Sequence, residues 1–209
     1  MCWRCFLLPV EVKRSDALAR QLPEINEAAG DVTVAVLGCG GLGSQVAWIL
    51  ARLGVGKLIL YDFDVVEASN LNRQNYGVSD IGRKKAKVTA ERITDWLPYA
   101  EVEARDAFVD ASLLDAIAAE ADIVVEAYDG VASKIEAFDF FQDHDDTPYV
   151  CTTGVAGPEG ALGRKDFGHI HMVGDFHGED RKDCYLPKVM TIAAMECQVV
   201  LELILGGLK

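Results

Sequence analysis

The sequence predicts an α/β fold: a doubly wound, mostly parallel Rossmann-like sheet with a small antiparallel C-terminal extension and a long C-terminal helix. Three observations carry this prediction. Short apolar runs alternate with helical patterns between residues 32 and 152. The first run leads into Gly38-Cys39-Gly40-Gly41-Leu42-Gly43, a G-x-G-x-x-G turn between a strand and a helix. Residues 189–205 form one long, broadly apolar helical stretch.

Residues 1–30 are weakly patterned and read as an N-terminal segment. Within it, 15–29 holds a short helix capped by Ser15 and interrupted by Pro23. Residues 31–209 read as one nucleotide-binding domain. Residues 32–37 make a buried parallel strand, followed by a helix over Gly43–Leu53 that Gly54 ends. Lys57–Tyr61 is the second strand, and residues 64–79 are too rich in Asn and Asp for a core element. Ala86, Val88, Ala90, Ile93 and Leu97 give 81–97 a helical period, closed by Pro98. Strands at 101–104, 123–127 and Tyr149–Thr152 alternate with helices at 112–119 and 133–141. Residues 160–176 switch to short alternating pieces, the antiparallel extension. Residues 177–183 read as a charged, mobile loop, and Gly206-Gly207 closes the last helix.

Bulk properties narrow the function. The 209 residues are 50% hydrophobic, enough for one sizeable core. Lys and Arg number 20 against 33 Asp and Glu, a net charge of −13 that disfavours a nucleic-acid surface. No run is read as a membrane span or signal peptide. Six cysteines without framework spacing fit reduced thiols and a cytoplasmic location.

The candidate site begins at the glycine turn. Gly38 allows the tight turn, Gly40 lets a phosphate approach the backbone, and Gly43 lets helix and strand pack closely. The helix start attracts anions, and Asp62 ends the second strand where a ribose-binding carboxylate belongs. Arg73 and Lys85 are cations suited to a triphosphate, whereas Asp64 reads as a solvated strand end. Asp129 follows a later strand at the same sheet edge and is a candidate magnesium ligand or helix cap. Cys39 and Cys151 read as small packing residues. His169 and His171 share a strand face without a clear third ligand and read as structural.

The run DFDVVEASNLNRQNY, with the glycine turn before it and IGRKKAKV after it, resembles the ThiF/MoeB family of adenylyltransferases, which are relatives of the ubiquitin-activating enzymes. The resemblance covers residues 32–153, and the last helix is similar to the short ThiS-activating branch. It implies ATP and Mg2+ as cofactors and a ubiquitin-like sulfur carrier with a C-terminal Gly-Gly as partner. A homodimer and a place in thiamine biosynthesis are implied as well. By matching position, Asp62 would bind the ribose and Gly41 would lie against the nucleotide. Ser69, Asn70 and Arg73 would line the phosphates, with Gln74 nearby. Lys85 matches the lysine of G-x-x-K-A, and Asp129 the magnesium aspartate, although Gly130 replaces the Asn that usually follows. Arg14 or Arg20 would complete the site across the dimer. Cys184 would be a reactive loop cysteine, with Arg181, Lys182 and Lys188 lowering its pKa. Only Cys2 and Cys5 form a C-x-x-C pair, so no structural zinc is expected.

The implied reaction is attack of a carrier carboxylate on the α-phosphate with loss of pyrophosphate. The nucleophile is already ionised at neutral pH, so positioning and charge neutralisation carry the chemistry. The rival readings are a molybdopterin-carrier enzyme, a non-catalytic activating-enzyme-like module and an NAD-dependent oxidoreductase. A tRNA-base dehydratase is disfavoured by the acidic charge and short length.

Overall fold

A computed structural model describes residues 12–177 and 183–207. Seven strands form one sheet: β1 (Thr33–Leu37), β2 (Lys57–Tyr61), β3 (Glu101–Arg105), β4 (Ile123–Glu126), β5 (Tyr149–Thr152), β6 (Leu162–Phe167) and β7 (Ile170–Asp175). Their order is β3-β2-β1-β4-β5-β7-β6. Only the β6–β7 pair is antiparallel, and β7 runs parallel to β5, so the hairpin continues the main sheet. The doubly wound, mostly parallel architecture read from the sequence is the one observed.

Among the described residues the α-helices are α1 (Arg14–Ala17), α2 (Pro23–Gly30), α3 (Gly43–Leu53), α4 (Lys85–Trp96), α5 (Ala111–Glu120), α6 (Val131–Asp143) and α7 (Leu186–Gly207). One face packs against α2, α3, α4 and α7 through residues such as Val34, Val36, Leu58, Val125 and Val150. The other packs against α5 and α6 through Ala35, Ile59, Val124, Tyr149 and Cys151. The central strands therefore bury both sets of side chains, which explains their continuous apolar runs.

Several boundaries differ from the sequence reading, each for a local reason. Pro23 does not interrupt a helix but opens α2 in its first turn, where the missing N–H costs nothing. Ser15 lies inside the short α1, whose N-cap is Lys13. The helix expected from residue 81 starts only at Lys85. Gly82 has φ +86°, and its N–H donates to the Val66 carbonyl, so residues 81–84 fold back along the preceding loop. Asp110 starts α5 by accepting from the Ser112 and Leu113 N–H groups at 3.0 and 3.2 Å.

The last helix is longer than expected. It starts at Leu186, and Gly206 and Gly207 lie within it rather than capping it. With 22 residues and a mean hydropathy of 1.7 it is long and apolar enough to cross a membrane, contrary to the sequence reading. Here it lies across the sheet and against α3, with Val189, Ile192, Ala193, Val199, Val200 and Ile204 buried.

Candidate nucleotide-binding site

The strand order reverses at β1, which has β2 on one side and β4 on the other. Open sheets bind ligands in the crevice outside the carboxyl ends of strands at such a switch point. The glycine turn follows β1, Asp62 follows β2 and Asp129 lies three residues beyond β4.

The four glycines of the turn divide into two pairs. Gly38 has φ +99°, and a Cβ there would sit 2.9 Å from the Ala127 carbonyl oxygen. A Cβ on Gly43 would sit 1.8 Å from the Gly38 carbonyl oxygen. These two are glycine because the protein itself leaves no room. At Gly40 the nearest atom to such a Cβ is Gln74 Nε2 at 3.8 Å, and at Gly41 it is Val189 Cγ1 at 3.4 Å. Their bareness opens a cradle beside the N-terminus of α3, which no side chain caps and whose dipole favours an anion such as phosphate.

Asp62 is buried at the end of β2. The Cys39 N–H donates to its Oδ2 at 2.7 Å and the Asp64 N–H to its Oδ1 at 2.7 Å. Burial raises its pKa, and the two backbone bonds oppose that shift. A carboxylate has about four accepting positions, so ribose hydroxyls can still be bound. Asp64 is not simply solvated as expected: its Oδ2 lies 2.9 Å from Lys85 Nζ. The neighbouring lysines are distinct. Lys85 is buried beneath the loop, whereas Lys84 reaches outward to the Phe63 carbonyl and Asp106.

Arg73 lies beside the cradle, its Cγ 3.8 Å from the Cβ position of Gly41. Its Nη1 donates to the Ser69 carbonyl and to Asn72 Oδ1, and among the described residues no carboxylate pairs with it. Ser69 is exposed, with its hydroxyl on Glu67. Asn70 is buried, and its Oδ1 accepts from the Glu67 N–H at 2.9 Å, which leaves its amide NH2 as a donor for a ligand. The buried Gln74 has an Oε1 without a hydrogen-bond partner among the described residues.

Asp129 is exposed and adjoins Gly38 through Ala127 and Tyr128. It does not cap α6; Gly130 occupies that position. A lone exposed carboxylate beside a phosphate cradle fits magnesium, which takes one or two protein carboxylates and completes its sphere with phosphate and water.

Cys184 is half-buried against the core shared by α3 and α7. Lys188 does not serve it as expected. Its buried Nζ instead donates to the Ala156 and Glu159 carbonyls at 2.7 and 2.6 Å and pairs with Asp175 at 3.0 Å. That contact holds the Asp175 carboxyl below its usual pKa. Arg181, Lys182, Cys2 and Cys5 lie outside the described residues. Among the described residues no cluster of three or more His, Cys, Asp or Glu is placed to hold a metal. His169 contacts the Phe141 carbonyl and His171 pairs with Asp166.

Arg14 is committed within the chain, donating to the Asn26 carbonyl at 2.8 Å and to the Gly54 carbonyl at 2.5 Å. Arg20 is exposed. Tyr76 was not singled out by sequence reasoning. Its hydroxyl donates to the Cys39 carbonyl at 2.6 Å and lies 3.0 Å from Thr89 Oγ1, fixing the glycine turn from beneath. The only signal was an aromatic residue in an otherwise polar loop.

The fold and crevice are those of a Rossmann-like nucleotide-binding protein. The chain belongs to the ThiF family, which it matches over residues 15–206. It is 37% identical over 109 residues to the molybdopterin-synthase adenylyltransferase of Escherichia coli, covering 52% of this chain and 44% of that protein. It is also 37% identical over 107 residues to the sulfur carrier protein ThiS adenylyltransferase of Escherichia coli, covering 51% and 43%. The chain thus matches less than half the length of these relatives. The crystal structure of E. coli tRNA N6-threonylcarbamoyladenosine dehydratase in complex with AMP superposes with a TM-score of 0.84. That match has 21% identity and covers 95% of this chain and 98% of the other; it shows a shared fold.

Proposed function

We propose that the protein adenylates the C-terminal Gly-Gly carboxylate of a ubiquitin-like sulfur carrier of the ThiS kind, using ATP and Mg2+ and releasing pyrophosphate. The observation that carries this reading is the cradle at Gly40 and Gly41, where among the described residues no atom demands glycine and Arg73, paired with no carboxylate, lies alongside. Family membership and the resemblance of the Asp62–Tyr76 loop support it.

In this reading Asp62 accepts hydrogen bonds from the ribose, and the start of α3 binds the phosphates. Arg73 neutralises phosphate charge as the carrier carboxylate attacks and pyrophosphate departs. Lys85 contributes charge from beneath, tempered by its pair with Asp64. Asp129 would hold Mg2+, which when bound supplies further neutralisation of phosphate charge. We assign the protein to a cytoplasmic homodimer in thiamine biosynthesis. Because Arg14 is committed internally, Arg20 is the arginine to cross to the partner.

The tRNA-base dehydratase reading draws on the superposition with that enzyme, and the net charge of −13 counts against a tRNA surface. ATP–pyrophosphate exchange tests the proposal. Wild type with a Gly-Gly carrier is expected to exchange, and Arg73→Ala and Asp129→Ala to lose exchange while keeping the wild-type circular dichroism spectrum. Exchange at the wild-type rate in both variants would reject the assignment.

A further inference from the structure

We infer that Lys188 is a positioning residue for the crevice. It ties the first turn of α7 and the loop after β5 to the sheet, and so fixes the wall that α7 gives the cradle at Gly41. This role rests on the adenylation reading and lies outside the nucleotide contacts named for it.

Acceptors from two segments converge on Lys188 Nζ. The Ala156 and Glu159 carbonyls, in the loop after β5, lie at 2.7 and 2.6 Å, and Asp175 Oδ2, at the end of β7, lies at 3.0 Å. An ammonium has three donors and no acceptor, so each of its protons has a partner. Asp175 is held in turn. Its Oδ1 accepts from the His177 N–H at 3.0 Å, and its backbone exchanges two hydrogen bonds with Gly154 at 3.1 and 3.3 Å. The loop packs so closely that a Cβ on Gly160 would sit 1.8 Å from Asp175 Oδ2. One buried ammonium therefore joins α7, β7 and residues 154–160.

The neighbouring residue carries this anchor to the cradle. Val189 is buried, and its Cγ1 lies 3.4 Å from the Cβ position of Gly41. The next nearest atoms to that position are Arg73 Cγ and Cδ, at 3.8 and 3.9 Å. A shift of the first turn of α7 would thus move the wall beside Gly41 and Arg73. Helix chemistry disfavours a lysine here. A cation in the first turn of a helix opposes the dipole, and apolar residues of similar volume often replace a buried ion pair without loss of stability. An apolar side chain could fill the space, but it could not hold the two loop carbonyls.

The clamp stands apart from the groups that would bind ATP. Asp62 and Arg73 lie after β2 and Lys85 opens α4, and among the described residues none of them shares a hydrogen bond with Lys188 or Asp175. ATP affinity should therefore survive loss of the clamp. Reaction geometry should not, because a misplacement of about 1 Å can cost ~10²-fold in rate.

The test compares the wild type with the double variant Lys188→Met, Asp175→Asn. It removes both charges together and keeps an acceptor for the His177 N–H, whereas Lys188→Met alone would strand a buried carboxylate. Carrier adenylation by the folded double variant is expected to lose about 10–100-fold in kcat. Its ATP Kd by calorimetry should stay within about twofold of wild type, and the amides of residues 154–160 should exchange hydrogen faster by mass spectrometry. Val189→Ala, which keeps the clamp but withdraws the wall, should lower kcat with loop exchange unchanged; it decides the matter if the double variant does not fold. A lower thermal midpoint with wild-type kcat per folded molecule would make the pair merely structural and overturn the role. So would unchanged loop exchange in the double variant, a rise in ATP Kd equal to its loss in kcat, or wild-type kcat in Val189→Ala. A wild type that adenylates no Gly-Gly carrier would reject the adenylation reading and this role together, whereas an active wild type with an equally active double variant rejects this role alone.

Discussion

Two buried carboxylates show how differently the crevice and the α7–sheet interface use the same chemistry. Asp62 and Glu196 are both removed from solvent, and burial raises both pKa values. Asp62 receives two backbone N–H bonds, which oppose the cost of charge and leave accepting positions for a ligand. Glu196, in the middle of α7, has no hydrogen-bond partner for either oxygen among the described residues. Burial is the largest cause of its shift, the Glu126 charge adds to it and Lys134 offsets part. The backbone thus opposes the cost of charge at Asp62. At Glu196 no such bonds oppose it among the described residues, and burial pushes the pKa up.

The largest expected effects lie on the crevice side. Arg73→Ala and Asp129→Ala should each lower carrier-dependent ATP–pyrophosphate exchange by about 10²–10³-fold, the scale of removing one preorganised charge-stabilising group. Their thermal midpoints should stay near wild type, because neither side chain pairs with a carboxylate or a cation among the described residues. A parallel loss of midpoint and activity would mean that the crevice and the core are not separable.

The glycine pairs sharpen the same contrast. Gly43→Ala places a Cβ 1.8 Å from a backbone oxygen and should prevent stable folding, read as loss of a cooperative thermal transition. Gly40→Ala meets nothing closer than 3.8 Å and should fold normally. Its ATP affinity should fall about tenfold, because the added methyl occupies phosphate space; a tenfold change is about 1.4 kcal/mol. Unchanged ATP binding in Gly40→Ala, measured by calorimetry, would remove the phosphates from the cradle.

Glu196 gives a pH prediction with a definite sign. Its folded pKa is raised, so the folded state holds its proton more tightly than the unfolded chain. Stability is complete below the ordinary carboxyl range and falls as pH rises through the folded pKa. Glu196→Gln removes the ionisation and should be more stable than wild type at pH 8, by about 1–3 kcal/mol, with little difference at pH 4. Urea denaturation at both pH values checks this. A wild type that instead gained stability over the variant on going to pH 8 would show that Glu196 is charged and paired.

The smallest effect is expected at Tyr76, which touches the glycine turn from below. Tyr76→Phe should cost about 0.5–1.5 kcal/mol through the lost bond to the Cys39 carbonyl, and weaken ATP binding a few-fold. A stability loss with unaltered ATP affinity would make Tyr76 a packing residue alone.

Much of the crevice was legible because its information is local. The glycine spacing, the acid ending β2 and the loop from Asp62 to Tyr76 are contiguous, and backbone geometry forces them to one sheet edge. What was not legible depends on which side chains meet after folding. Lys188 reads as a loop cation near Cys184, yet it is a buried clamp on Asp175 because α7 starts at Leu186. Arg14 is one of two arginines expected to reach across a dimer, yet the α1–α2 turn folds it onto the Gly54 carbonyl. Pro23 was misread because proline breaks a helix interior and opens a helix start, and sequence alone did not place the start. Asp64 and Lys85 lie 21 positions apart, and only the folded loop makes them a pair.

Activation of a carrier carboxylate in this crevice, as proposed, leaves a product whose mass can be read. The most direct measurement is the intact mass of a ThiS-like carrier ending in Gly-Gly after incubation with the protein, ATP and Mg2+. A carrier species heavier by one adenylyl group is expected, absent with Arg73→Ala and absent when the terminal Gly is removed. An unmodified carrier from a wild-type protein that binds ATP tightly would contradict it.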